Sequence, residues 1–187
     1  MFKHKMDELT QYLKSDEYKE SKFEQILNKK IIITEDHIKN INFKYYNFDI
    51  INLFEKYGYI FTDGNYKIAV QQNGYMLKYI PDDKKTYEIC TIAVKQIGWA
   101  LKFVPDNKKT YKICKIAVQQ TGWALCFVPE NNKTNKLCEN SVRHTGWALK
   151  FGPEDKKTDE ICKIAVEQIS FALRYIPNNK KHLFITN

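Results

Sequence analysis

The sequence predicts an all-α fold, an α-solenoid of 24-residue two-helix repeats behind an N-terminal helical cap. Three observations predict it. Threonine recurs at Thr62, Thr86, Thr110, Thr134 and Thr158, and proline keeps step at Pro81, Pro105, Pro129, Pro153 and Pro177, always 24 residues apart. Glycine holds the same register at Gly74, Gly98, Gly122 and Gly146, with Ser170 in the fifth copy. Within each unit the apolar residues recur at helical rather than alternating spacing.

The second unit shows how each copy reads as two short helices. Thr86 is a good N-cap, Glu88 sits in the first turn where the helix dipole favours acids, and Gly98 reads as the helix stop. Ile89, Cys90, Ala93, Val94 and Ile97 make one buried face, with Thr91, Lys95 and Gln96 outside it. The second helix runs from Trp99 to Val104 and is ended by Pro105, which disfavours α geometry in the residue before it. Its apolar residues cover most of the circumference and leave Lys102 facing out, so it should be largely buried. Asp106-Asn107-Lys108-Lys109 is turn material. Neither helix would persist alone, and stacking supplies the missing core. Leucine-rich repeats of similar length need an L-x-x-L-x-L-x-x-N frame, and a β-solenoid needs alternation; neither pattern is present.

The predicted organisation is an N-terminal cap over residues 1–61, five repeats over 62–181 and a tail over 182–187. Residues 49–61 resemble a shortened repeat when Gly58 is set against Gly74. Met6, Leu9, Tyr12 and Leu13 suggest one amphipathic helix in the cap, and Phe23 to Leu27 a second. A weakly covered end of the array would favour self-association.

Charge is uneven. Residues 1–61 hold 10 Lys/Arg and 10 Asp/Glu of the total 30 and 22, so residues 62–187 hold 20 against 12 and carry the whole net charge of +8. No apolar run approaches the roughly 20 residues that span a bilayer, and the charged N-terminus has no signal-peptide core, so an intracellular setting is expected.

In a stacked array one repeat position becomes one column. Cys90, Cys114, Cys138 and Cys162 form a column expected in the core, because equivalents stacked about 9–10 Å apart exceed disulfide reach and no paired zinc ligands occur. Cys126 stands apart, in the lysine position of the second helix. Two aromatic columns, Tyr75/Trp99/Trp123/Trp147/Phe171 and Tyr79/Phe103/Phe127/Phe151/Tyr175, sit four residues apart and read mainly as core, with the first more accessible. Lys78, Lys102, Lys150 and Arg174 form a basic row interrupted by Cys126, the leading candidate for binding. A second basic row in the turns (Lys84/Lys85, Lys108/Lys109, Lys133, Lys156/Lys157, Lys180/Lys181) lies beside acids and reads as a solvated, self-compensated edge. Arg143 and His144 form a local variation on an exposed helix face and are further binding candidates. Phosphate-loop, dinucleotide and zincin motifs are absent and the histidines are scattered, so no catalytic residue, cofactor or metal is expected.

The phrases YKICKIAVQQTGWALCFVPENNKT and YEICTIAVKQIGWALKFVPDNKKT resemble a short helical tandem-repeat family of unknown function, abundant in giant DNA viruses of amoebae and found in some bacteria. The resemblance covers about residues 62–181. It implies a virus-encoded protein of the host cytoplasm and supplies no activity, cofactor or binding residue. The function expected is a non-catalytic scaffold for protein–protein interaction. The alternative is nucleic-acid or anionic-surface binding through the basic row.

Overall fold

The computed structural model describes residues 9–13, 20–28, 33–43 and 50–184, with the backbone alone at 20, 21 and 23. All regular structure among these residues is helical, and the repeats stack in sequence. Each contributes one α-helix: Asp63–Gln72, Tyr87–Gln96, Tyr111–Gln120, Asn135–His144 and Asp159–Gln168. Each then adds a six-residue 3₁₀ helix: Gly74–Tyr79, Gly98–Phe103, Gly122–Phe127, Gly146–Phe151 and Ser170–Tyr175. Every α-helix packs on the α-helix of the next repeat, every 3₁₀ helix on the next 3₁₀ helix, and the two rows close on each other. The molecule is a two-layer, all-α repeat stack.

The threonines cap as expected. Thr86 Oγ1 accepts the Ile89 N–H at 3.2 Å, and Thr110, Thr134 and Thr158 do the same for Ile113, Leu137 and Ile161. Ile89, Cys90, Ala93 and Val94 are fully buried, with equivalents in the other repeats, whereas Ile97 is half-buried. That difference follows from the way the α-helix ends. Ile97 has left the helix for extended backbone, φ −145° and ψ 113°, and its N–H still reaches the Ala93 carbonyl. The equivalent positions are Thr121, Thr145 and Ile169, all β-branched, a residue class that suits extended backbone, and in the first copy Asn73, whose side chain accepts the Tyr75 N–H. The stop therefore lies one residue before the glycine.

The glycines do something else. A Cβ at Gly74, Gly98 or Gly146 would stand 2.5, 2.7 or 2.6 Å from the carbonyl oxygen of Ala93, Ala117 or Ala165 in the next repeat, and at Gly122 it would strike Ser141 O. These four glycines open the second helix where it meets the next α-helix backbone, and they are close-approach residues rather than helix stops. The fifth copy carries Ser170, which is exposed.

The second helix differs from the expected geometry in a way that moves side chains. At three residues per turn, i and i+3 eclipse. Gly98, Leu101 and Val104 then share the buried face, while Trp99 lines up with Lys102 on the outer edge. Helical spacing of four had paired Trp99 with Phe103. The helix is half out of the core, and the expectation that it would be largely buried is corrected. The turns also hold more structure than expected, one further 3₁₀ turn each at Asp106–Lys108, Glu130–Asn132 and Glu154–Lys156.

Toward the N-terminus, Leu9, Tyr12 and Leu13 are helical and buried, and a helix spans Glu20–Leu27, while Met6 lies outside the described residues. A further helix, Glu35–Lys39, opens after Thr34 and buries Ile38. Phe43 joins this region to the first repeat: its N–H donates to Gln72 Oε1 at 2.9 Å and its carbonyl accepts from Asn73 Nδ2 at 3.2 Å. The helix Ile50–Lys56 ends at Gly58, whose φ of 86° is the left-handed cap conformation, with Tyr59 N–H returning to Phe54 O. Gly58 thus has a different role from Gly74, and residues 59–62 run without helix. Phe54, Tyr59, Phe61 and Tyr66 then pack as a ring cluster that seals the first repeat.

Gly122→Ala should destabilise the fold by about 1–3 kcal/mol, because the backbone oxygen it meets cannot swing away. Ser170→Ala should stay within about 0.5 kcal/mol. Thermal or urea denaturation of the two variants checks this, and equal losses would show that the glycine column is not a contact between repeats.

Candidate functional site

The 3₁₀ row presents an edge built from two aromatic columns and the cations between them. The first column lies outside the core, and the second is partly buried against it. Tyr75 (45%), Trp99 (38%) and Phe171 (39%) are exposed, Trp123 and Trp147 are half-buried, and so are Tyr79, Phe103, Phe127, Phe151 and Tyr175. The reading of the aromatics as mainly core is corrected for the first column, the one expected to be more accessible, and the threefold turn is the reason; the second column packs against the core. Rings of one repeat engage rings of the next. Tyr75 meets Phe103 with centroids at 6.4 Å, Trp99 meets Phe127 at 5.6 Å, and Trp123 meets Phe151 at 5.9 Å, all edge-to-face. Trp123 and Trp147 stack at 6.3 Å, and Trp147 lies 4.7 Å from Phe171. A continuous aromatic ribbon results.

Lys78, Lys102, Lys150 and Arg174 are all exposed on this ribbon. Their heads lie over Tyr79 (5.1 Å), Phe103 (6.0 Å), Phe151 (5.8 Å) and Phe171 (4.7 Å). No carboxylate among the described residues pairs with any of them. Cys126 fills the missing position, half-buried and beside an open groove of about 660 Å³ lined by Phe127, Asn131, Asn132 and the Asp106 turn.

The turn lysines are different. Lys85, Lys109, Lys133 and Lys157 have side chains only 7–11% exposed and pair with Asp82, Asp106, Glu130 and Glu154 at 2.7, 2.8, 2.6 and 2.5 Å. Self-compensation is observed, but one lysine of each turn is buried rather than solvated. It lies along the core with its ammonium held by an exposed acid. The Lys85 ammonium beside it holds the Asp82 carboxyl below the usual range. Lys157 also donates to Tyr175 O at 2.9 Å, tying one repeat to the end of the next 3₁₀ helix. Lys108 Nζ to Asp82 O and Asn132 Nδ2 to Lys109 O are further ties between turns.

Arg143 and His144 do not join the ribbon. They end the fourth α-helix and line a separate shallow groove with Gln119 and Asn140. Arg143 is engaged, with Nε 2.9 Å from Glu139 Oε1, a pairing that holds the Glu139 carboxyl below its ordinary range. Its carbonyl accepts from Gln168 Nε2 at 2.8 Å. The same repeat carries Ser141 in the alanine column, and its hydroxyl donates to Gly122 O, which satisfies a buried polar group.

The cysteine column is core. Cys90, Cys114 and Cys162 each lie within 3.7–3.8 Å of the carbonyl of the turn lysine five residues before. Burial raises all of these thiols, Cys114 and Cys138 to about 11. Among the described residues no group of three or more His, Cys, Asp or Glu is placed to hold a metal ion, and no helix is long and apolar enough to cross a membrane.

Residues 66–107 and 87–133 match a family model. That model is DUF4116, a domain of unknown function. The two matches overlap and fall within repeats one to three, as a periodic sequence produces. No curated protein and no solved structure matches the chain.

In native protein, a thiol reagent should label Cys126 fast and the other four cysteines only on unfolding. Labelling of Cys126 should accelerate as pH rises past 9, since burial raises its thiol above the ordinary value of 9.0. Two or more fast thiols in the folded state would contradict the packing described.

Proposed function

We propose that the chain is a non-catalytic helical-repeat scaffold that binds another protein along the 3₁₀ edge, in the cytoplasm of an infected host cell if it is virus-encoded as its repeat phrases imply. One observation carries the reading: a regular row of exposed cations, without carboxylate partners among the described residues, stands on a half-exposed aromatic ribbon. Exposed aromatics and arginine are the residue types that anchor protein interfaces. In the turns the buried lysines are paired with acids, whereas the ribbon's cations stand among exposed rings, as the lysines of the α-helix faces without a carboxylate partner among the described residues (Lys95, Lys112, Lys115, Lys163) do not.

A second reading, binding of single-stranded nucleic acid, draws on the same pairing of aromatics with cations. Affinity capture should separate wild type from a K78E/K102E/K150E/R174E variant. The wild type should retain a stable protein partner that this variant loses and that an R143A/H144A variant keeps. Identical capture by all three chains would sink the ribbon as the binding surface. Filter binding across a salt series tests the second reading, which requires retention of oligonucleotide at low salt that the charge-reversal variant abolishes.

A further inference from the structure

We infer that the ribbon takes an extended acidic polypeptide segment, with carboxylates facing the cation row. This rests on the scaffold reading above and names the chemistry of its partner.

The first argument concerns which parts of the rings are available. Each edge-to-face contact between repeats uses the face of one ring and the edge of another, as in Trp99 on Phe127 (66°) and Trp123 on Phe151 (61°). The Trp123 and Trp147 planes lie within 21° of each other, so these indoles turn their faces along the array. Lys102 and Lys150 hover over the Phe103 and Phe151 faces that remain. Cations thus lie over faces of Tyr79, Phe103, Phe151 and Phe171, and Trp123 and Trp147 stack on each other, so these faces are already engaged. Bases need a free face on which to stack. Ring edges carry the positive end of the aromatic quadrupole. Together with the lysines they make an electropositive strip that suits carboxylates and offers no platform to a nucleobase.

The second argument is spacing. The stacked indoles Trp123 and Trp147 are 6.3 Å apart between centroids. An extended peptide advances roughly 3.3 Å per residue and turns alternate side chains to one face, an interval of about 6.6 Å that lies near this ring spacing. A segment with an acid at every second position thus follows the Trp123–Trp147 interval, and position 126 beside it carries no cation. That position interrupts the row, and it borders the open groove where a longer side chain has room.

Cys126 supplies the test, because opposite charges can be placed there without removing a native charged residue. Fluorescence anisotropy would use labelled (Glu-Ser)₆, (Lys-Ser)₆ and a twelve-nucleotide oligo-dT with the full chain at low salt. The acidic peptide should bind best. Cys126→Lys should tighten it and Cys126→Glu weaken it, each about twofold to fivefold, the scale of one exposed charge pair. Both variants disturb the same packing, so opposite shifts cannot come from misfolding. Thermal melts check that each is folded. Tighter binding of oligo-dT than of (Glu-Ser)₆, or equal shifts for Cys126→Lys and Cys126→Glu, would overturn the inference. If the acidic peptide fails while a captured protein partner is still lost on charge reversal of the row, this inference falls and the scaffold reading stands. If no partner is captured either, both fall.

Discussion

The stack depends on the close approach of each 3₁₀ helix to the α-helix of the following repeat. The contact is backbone on backbone: the Cα of Gly98 faces the Ala117 carbonyl at a distance that leaves no room for a Cβ. Much else in the unit serves that approach. A β-branched residue turns the chain out of the α-helix one step earlier, so that glycine leads the second helix into the neighbour. A small residue sits opposite, alanine at 93, 117 and 165 and Ser141 in the fourth repeat, where the hydroxyl donates to Gly122 O. The tight winding keeps Leu101 and Val104 directly behind the glycine, where they fill the space between layers. Ser170 shows the converse. Its side chain is exposed, and Leu173 is 37% exposed where Leu101 and Leu125 are wholly buried. A copy seated on this face in the manner of the internal repeats would meet the serine side chain with its backbone, so self-association through this end would need a different geometry.

That inner constraint decides which columns can vary. A residue facing both its own and the next repeat has two sets of neighbours to satisfy. The cysteine column is small, buried and protonated, and its regular spacing reflects core geometry rather than ligand chemistry. Even Ser141 is admitted only with an internal acceptor for its hydroxyl. The turn lysines are under similar control, since their stems pack against the core while acids hold their heads. An array with a net charge of +8 therefore shows less free positive charge along its turns than its composition suggests.

Most of the architecture was legible in the sequence because periodicity averages over five copies. The repeat length, the threonine caps, the buried α-helix stripe and the core cysteines all follow from residues whose local preference agrees with their tertiary role. The second helix was misread where local and tertiary information part. GWALKF has no residue that distinguishes a 3₁₀ from an α winding, and six residues are too few for periodicity to decide. That small difference rotates Trp99 onto the Lys102 edge and brings its column out of the core. The glycine was read as a stop because, in sequence, a close-approach glycine and a left-handed cap look the same. Gly58 and Gly98 represent the two cases, and the positive φ of Gly58 tells them apart. Lysine burial was hidden for a similar reason: the charge of Lys85 announces a surface residue while its four-carbon stem does not.

The candidate site emerges from what these constraints leave over. On the second helix, glycine, alanine, leucine and valine positions are claimed by packing, so positions 99 and 102 and their equivalents are the ones facing outward. Position 126 is the place where the outward column changes its chemistry, from cation to thiol, while its neighbours Trp123 and Phe127 keep theirs. The substitution lies in the middle repeat and removes one charge without disturbing the ring contacts of Trp99 with Phe127 or Trp123 with Phe151. The ribbon is thus a continuous aromatic strip with a discontinuous charge pattern, two cations on one side of a gap and two on the other. A uniformly charged polymer gains nothing from such a gap, whereas a polypeptide can match it with an uncharged residue at the corresponding position. Charge spacing, more than total charge, is the feature by which this edge can discriminate among acidic partners.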